Sequence, residues 1–266
     1  MKKKIIFGVV LVLCIYAFPI RLFDLSKIEY NALKIVKCLL FSSIILRLIR
    51  NEFGSIKYLF GKIDKKIIFY LPVLILSSVY ILLNLSIFDI INKGNIKLTI
   101  LALLATLFAT FSEEIVFRGY FQKLFIKNNM SIKKSIIVSS MMFSSLHMAN
   151  IYRYDYDVWS IFGQICIAFF FGLFFGALFV LRQNIIFITS LHFIYNLPTS
   201  LYSINTLELT HTQNVAATHI SLAENIISVI IYILIHLPVL LLGMFYLKEA
   251  SKRKQSFIAD VNSKSY

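Results

Sequence analysis

Two carboxylates and a guanidinium stand together in Phe111-Ser-Glu-Glu-Ile-Val-Phe-Arg-Gly-Tyr120, inside a stretch apolar enough to cross a membrane. Insertion scales charge such residues roughly 2.5–3.5 kcal/mol each at a bilayer centre, so they are retained for a purpose. Glu114 and Arg118 are four apart, share a helical face and can pair. Glu113 is turned about 100° from Glu114 and points to a neighbouring face. An interhelical salt bridge that only holds a bundle together would explain Glu114 and Arg118 but would leave Glu113 with no partner. Two further apolar stretches carry polar pairs at the same spacing: Phe143-Ser-Ser-Leu-His147 and His192-Phe-Ile-Tyr-Asn196. A single membrane histidine is usually an interhelical hydrogen-bonding contact. Two of them, with a free glutamate on a third segment, point to a shared site.

A carboxylate shielded from bulk water is a useful general base near neutral pH. Glu113 can take a proton from water that His147 also holds, while His192 and Asn196 donate hydrogen bonds to the oxyanion of a carbonyl becoming tetrahedral. Glu114 and Arg118 form the supporting pair. The set describes a hydrolase of amides or esters whose nucleophile is water rather than Ser or Cys. Glu113, His147 and His192 also make a two-histidine, one-carboxylate set of the kind that holds catalytic zinc with an open fourth position. The HExxH spacing of soluble zinc proteases is absent. The metal-free reading is preferred, with zinc left open.

These residues need a membrane-embedded frame, and the composition supplies it. The 266 residues are 59% hydrophobic, with a mean hydropathy of +0.80, well beyond the apolar share of soluble domains. Apolar segments lie at 5–20, 33–49, 67–88, 98–117, 135–150, 158–181, 184–203 and 225–247. The expectation is an all-α, polytopic bundle of about eight transmembrane helices. Segments near 20 residues match a hydrocarbon layer of about 30 Å, and shorter ones need interfacial or buried placement. Depth tests the shared site. Glu113 falls about 22 Å down its segment from the outer side, and His147 and His192 about 18 and 12 Å up from the cytoplasmic side. These levels agree within helix tilt.

Lys and Arg concentrate in alternate connections: 2–4, 47–66, 123–134, Arg182 and the tail. By the positive-inside rule both termini are cytoplasmic. The net charge of +14 is thus a membrane signature that attracts anionic lipid headgroups, and nucleic acid is not a partner. The Met1-Lys-Lys-Lys start resembles a secretory leader, but no small-x-small cleavage site precedes Arg21, so it reads as an uncleaved first span. Cys14, Cys38 and Cys166 are far apart in apolar stretches and read as reduced core residues. His211 and His219, in the polar loop between 203 and 223, read as surface residues. Ala168, Gly172 and Gly176 form a stripe for close helix packing. His236, beside Pro238, is the leftover polar residue, assigned to packing or a kink.

Glu-Glu-x-x-x-Arg at 113–118, Phe-x-x-x-His at 143–147 and His-x-x-x-Asn at 192–196, in this order on three segments, resemble the motifs of the CAAX protease and bacteriocin-processing (CPBP, or Abi) family of intramembrane endopeptidases. The resemblance covers about residues 98–203 and no motif position departs from it. It implies that Glu113 and His147 activate water, that His192 and Asn196 stabilise the oxyanion, and that Glu114 and Arg118 are structural. The family has been described both as metalloproteases and as glutamate-dependent proteases. Its eukaryotic members trim prenylated CAAX proteins, and similar bacterial proteins are linked to peptide pheromone or bacteriocin maturation and to self-immunity.

The reading is therefore a membrane domain at 1–248 with a polar cytoplasmic tail at 249–266, in the plasma membrane of a bacterium with the Lys-, Ile- and Asn-rich composition of a low-GC genome. Its substrate would be a membrane-associated or lipid-modified peptide or protein. The alternative is a non-enzymatic bacteriocin immunity or binding protein, which would survive loss of Glu113 and His147.

Overall fold

The computed structural model describes residues 25–61, 75, 96–150, 158–209 and 222–252, with side chains from 201 to 222 excepted. The first apolar segment, nearly all of the third, Cys14, His211, His219 and the tail beyond Lys252 lie outside the described residues. The other six expected segments fall on helices. These are α1 (Lys27–Phe53), α2 (Ile96–Glu114), α3 (Lys123–Lys127), α4 (Ile132–Ser145), α5 (Val158–Arg182), α6 (Ile185–Leu209) and α7 (Leu222–Lys252). A π-helical segment, Ile115–Gln122, joins α2 to α3, and a 3-10 turn, Leu146–Asn150, continues α4. The described part is all-helical, apart from one isolated bridge between Phe60 and Asn184. Three of its helices are long and apolar enough to cross a membrane: Ile96–Lys127, Val158–Arg182 and Ala223–Lys252.

Local chemistry sets the helix ends. Ser26 caps α1 in a reciprocal box: its hydroxyl accepts from the Glu29 amide at 3.3 Å, and Glu29 Oε2 accepts from the Ser26 amide at 2.9 Å. Gly54, at φ 74°, closes the other end in the left-handed region that glycine enters without strain. Ser131 caps α4 by accepting from the Lys134 amide. Asn184 accepts from the Phe187 amide at the start of α6 and donates to the Gly61 carbonyl, tying the α5–α6 turn to the chain after α1. A side chain at Gly61 would meet the Gln183 carbonyl oxygen at 2.7 Å.

α5 is the buried spine, packed between α4 and α7, while α2 packs against α1 and α6. The small-residue stripe does what its spacing predicts. A Cβ on Gly172 would stand 2.8 Å from Ser140 Cβ, and one on Gly176 would stand 3.0 Å from Gln122 Oε1, so α4 and the π segment approach the α5 backbone closely. Gln122 also donates to the Gly176 carbonyl at 3.0 Å.

One boundary differs from expectation in a way that matters. The segment expected to end at 117 runs to Lys127 as one 32-residue rod. Lys123 is therefore not a loop cation: it is buried, with Nζ 3.0 Å from the centre of the Tyr58 ring and 5.3 Å from that of Phe53. Cation–π contact with two rings offsets the lost hydration. The π segment makes the extension workable. Changing from one hydrogen-bond ladder to another leaves main-chain carbonyls to be satisfied from outside. Ser139 donates to the Phe117 carbonyl and Tyr58 to the Gly119 carbonyl, each at 2.7 Å. Burial holds the Tyr58 phenol well above its ordinary range, so it stays a donor.

Candidate active site

The π segment begins immediately after Glu113 and Glu114, and all eight of its residues are buried. π-helical insertions recur at functional sites because they rotate side chains out of the register of the preceding turn. Here Glu114 and Arg118 remain one turn apart and pair, with Arg118 Nε 3.2 Å from Glu114 Oε2. Both are essentially removed from solvent, at 0% and 1% exposure. The Arg118 guanidinium lies 4.6 Å above the centre of the Phe143 ring, so α4 supplies a second favourable face for the charge.

Glu114 has another partner. His192, on α6, places Nδ1 2.7 Å from Glu114 Oε1. The carboxylate is thus shared between a guanidinium on its own helix and an imidazole on a neighbouring one. Its adjacent residue is different. Glu113 keeps 22% side-chain exposure, and its Oε2 lies 3.9 Å from His192 Nε2. One imidazole stands between two glutamates, bonded to the buried one and facing the accessible one.

His147 sits in the 3-10 turn after α4 and is half-buried. Its ring meets Phe143 edge to face, with centroids 5.7 Å apart, and Phe143 meets His192 in the same way at 5.8 Å. The shared face expected for Phe143 and His147 is present, and Phe143 is a common wall for Arg118, His147 and His192. Phe175 of α5 closes the other side of His192 at 5.1 Å. Asn196 follows His192 by one turn on α6 and is half-buried.

The expected residues therefore come together in two degrees. Glu114 bonds to both Arg118 and His192, Glu113 faces the same His192 at 3.9 Å, and His147 joins them through Phe143. Asn196 is placed by helix register alone. Two features escaped sequence reasoning: the Glu114–His192 bond, which couples segments 78 residues apart, and the role of Phe143 as a wall. Phe143 did carry a signal, standing one turn before His147. No group of three or more His, Cys, Asp or Glu side chains arranged to hold a metal ion occurs among the described residues.

Comparison with known proteins adds an independent observation. Residues 95–198 match the family model described as type II CAAX prenyl endopeptidase, Rce1-like. The matched stretch runs from the start of α2 to Pro198 in α6 and contains all six residues just placed, while α1 and α7 lie outside it. The searches of curated proteins and of solved structures found no match.

Proposed function

On the premise that residues 95–198 belong to the Rce1-like family of type II CAAX prenyl endopeptidases, we propose that the chain is an intramembrane endopeptidase in which Glu113 is the general base. The observation that carries this is the division of labour between adjacent carboxylates. Glu114 is fully buried and committed to Arg118 and His192, while Glu113 stays partly exposed beside the same imidazole.

In the proposed reaction Glu113, with His147, binds a water molecule and takes one of its protons. The water oxygen bonds to the scissile carbonyl carbon, and the carbonyl electron pair moves to oxygen. His192 and Asn196 donate to that oxyanion. The proton held by Glu113 passes to the departing nitrogen as the oxyanion re-forms the carbonyl and the C–N bond breaks, releasing an amine and a carboxylic acid. Donation from His192 Nε2 has a requirement. Its Nδ1–H is directed at Glu114, so a second N–H needs the doubly protonated ring, whose charge the flanking carboxylates balance. Glu114 is then the group that orients His192, beyond its structural pairing with Arg118. Zinc on Glu113, His147 and His192 is the alternative, but these three side chains are not gathered as a ligand set in this arrangement, so no step is routed through a metal.

The substrate is a peptide or protein held at the membrane by an apolar or lipid-modified segment, as for a prenylated CAAX-type terminus or a peptide pheromone or bacteriocin precursor. The wider frame is proposed as well: about eight spans, both termini cytoplasmic, in a bacterial plasma membrane whose anionic lipids face the basic connections.

The test is cleavage of a membrane-peptide library, including farnesylated CAAX-type peptides, by the purified wild-type protein and by Glu113→Ala, with a melting curve on each and a chelator in parallel. Cleavage lost in the variant alone supports the reading, and chelator sensitivity assigns the metal. If neither cleaves while host protection against a bacteriocin persists in both, a non-enzymatic immunity protein replaces it.

A further inference from the structure

His236 lies on α7, outside the family-matched stretch, and the reaction above does not use it. It is 6% exposed. Its Nδ1 lies 2.8 Å from the Tyr232 carbonyl oxygen one turn earlier. A carbonyl only accepts, so Nδ1 carries the proton, and in the neutral ring Nε2 is then an acceptor. The Tyr195 hydroxyl, 2.8 Å from that Nε2, donates to it.

Tyr195 stands on α6 between His192 and Asn196. Two rings of α5, one turn apart, support this turn. Phe171 lies 4.0 Å from the Tyr195 ring and 6.2 Å from His236, and Phe175 lies against His192. Pro198, two residues beyond Asn196, lies inside α6 and contributes no N–H to its ladder. The orientation of the turn bearing His192 and Asn196 therefore leans on side-chain contacts more than a regular helix would.

We infer that His236 is a positioning residue: through Tyr195 it fixes the rotation of the α6 turn that presents His192 and Asn196, which makes α7 a working part of the active unit. Packing alone does not account for the pair. An apolar residue would fill the same volume without burying polar atoms, whereas here each one is matched, carbonyl to Nδ1–H and Nε2 to hydroxyl. The catalytic consequence rests on the roles proposed above for His192 and Asn196, but the geometric one does not.

The experiment uses the full chain labelled with 15N-histidine in lipid nanodiscs, as wild type, His236→Ala, His236→Gln and Tyr195→Phe. The first readout is the ring-nitrogen signal of His192, assigned by His192→Gln. His236→Ala and Tyr195→Phe are expected to shift or split it. His236→Gln, whose amide can accept from Tyr195 and donate to a carbonyl, is expected to restore it. The second readout is turnover of whichever peptide the wild type cleaves. There kcat should fall roughly 10- to 100-fold in His236→Ala, as for a small misplacement of reacting groups, with KM within about twofold. A double variant carrying His236→Ala and Tyr195→Phe should be no slower than the worse single one, as expected of residues acting as a unit. An unchanged His192 signal across the series, or a lowered melting temperature with kcat per folded molecule intact, overturns the inference. Should the wild type cleave nothing, the proposed function fails, and the His192 signal alone decides whether His236 positions the turn.

Discussion

Two buried histidines of this bundle are held by the same device and left in opposite states. His192 and His236 each direct Nδ1 at an oxygen, Glu114 in one case and the Tyr232 carbonyl in the other. The remaining nitrogen of His236 is used up by the Tyr195 hydroxyl, in a cluster whose other members, a phenol and a main-chain carbonyl, are neutral groups. The remaining nitrogen of His192 faces the carboxylate of Glu113, in the accessible part of a cluster that holds two acids and a guanidinium. Composition does not distinguish them, since both are histidines in apolar helices. What separates the two clusters is an edge left open beside an ionisable group, and the proposed chemistry rests on that edge.

The comparison can be broken in order of effect. Glu113→Gln keeps the shape of the open edge and removes its base; cleavage should fall by roughly 10²- to 10⁴-fold with an unchanged melting curve. Arg118→Ala removes the guanidinium from a fully buried carboxylate and leaves Glu114 to His192. A loss of roughly 3–5 kcal/mol is expected, read as lower yield from membranes and a lower denaturation midpoint. Normal accumulation with normal activity would show the pair to be dispensable. Tyr195→Phe is the matching lesion in the neutral cluster. Leaving His236 Nε2 without its donor should cost about 1–3 kcal/mol, less than the charged lesion, and an equal cost would erase the distinction drawn here. Ser139→Ala touches neither cluster. It removes the hydroxyl bonded to the Phe117 carbonyl of the π segment, and should cost about 1 kcal/mol in thermal unfolding while turnover stays near wild type.

Relations within one helix were legible from the sequence, and relations between helices were not. The Glu114–Arg118 pair, the shared face of Phe143 and His147 and the close approach at Gly172 and Gly176 follow from a period of 3.6 residues. The three motifs, taken in order, also identified the stretch that the family model covers. The Glu114–His192 bond is different, because nothing in a chain says which of two adjacent acids will meet a histidine 78 residues away. The π segment was equally hidden. Its sequence is ordinary for an α-helix, and its wider turn is stabilised by outside donors, Ser139 and Tyr58, that arrive only in the fold. That continuation also takes Lys123 out of the loop cations that the sequence places at 123–134 and buries it under Tyr58. The partner of His236 is hidden in the sequence for the same reason: Tyr195 is one aromatic among many until α6 and α7 are brought together.

The most direct measurement is the single-turnover rate of one cleaved peptide by wild type and Glu113→Gln, purified side by side in nanodiscs with matched melting curves. The expected result is cleavage at one bond by the wild type and a rate lower by at least about 10² in the variant. Equal rates from two equally folded proteins would contradict the assignment of Glu113 as the base, and with it the division of labour between the two adjacent glutamates.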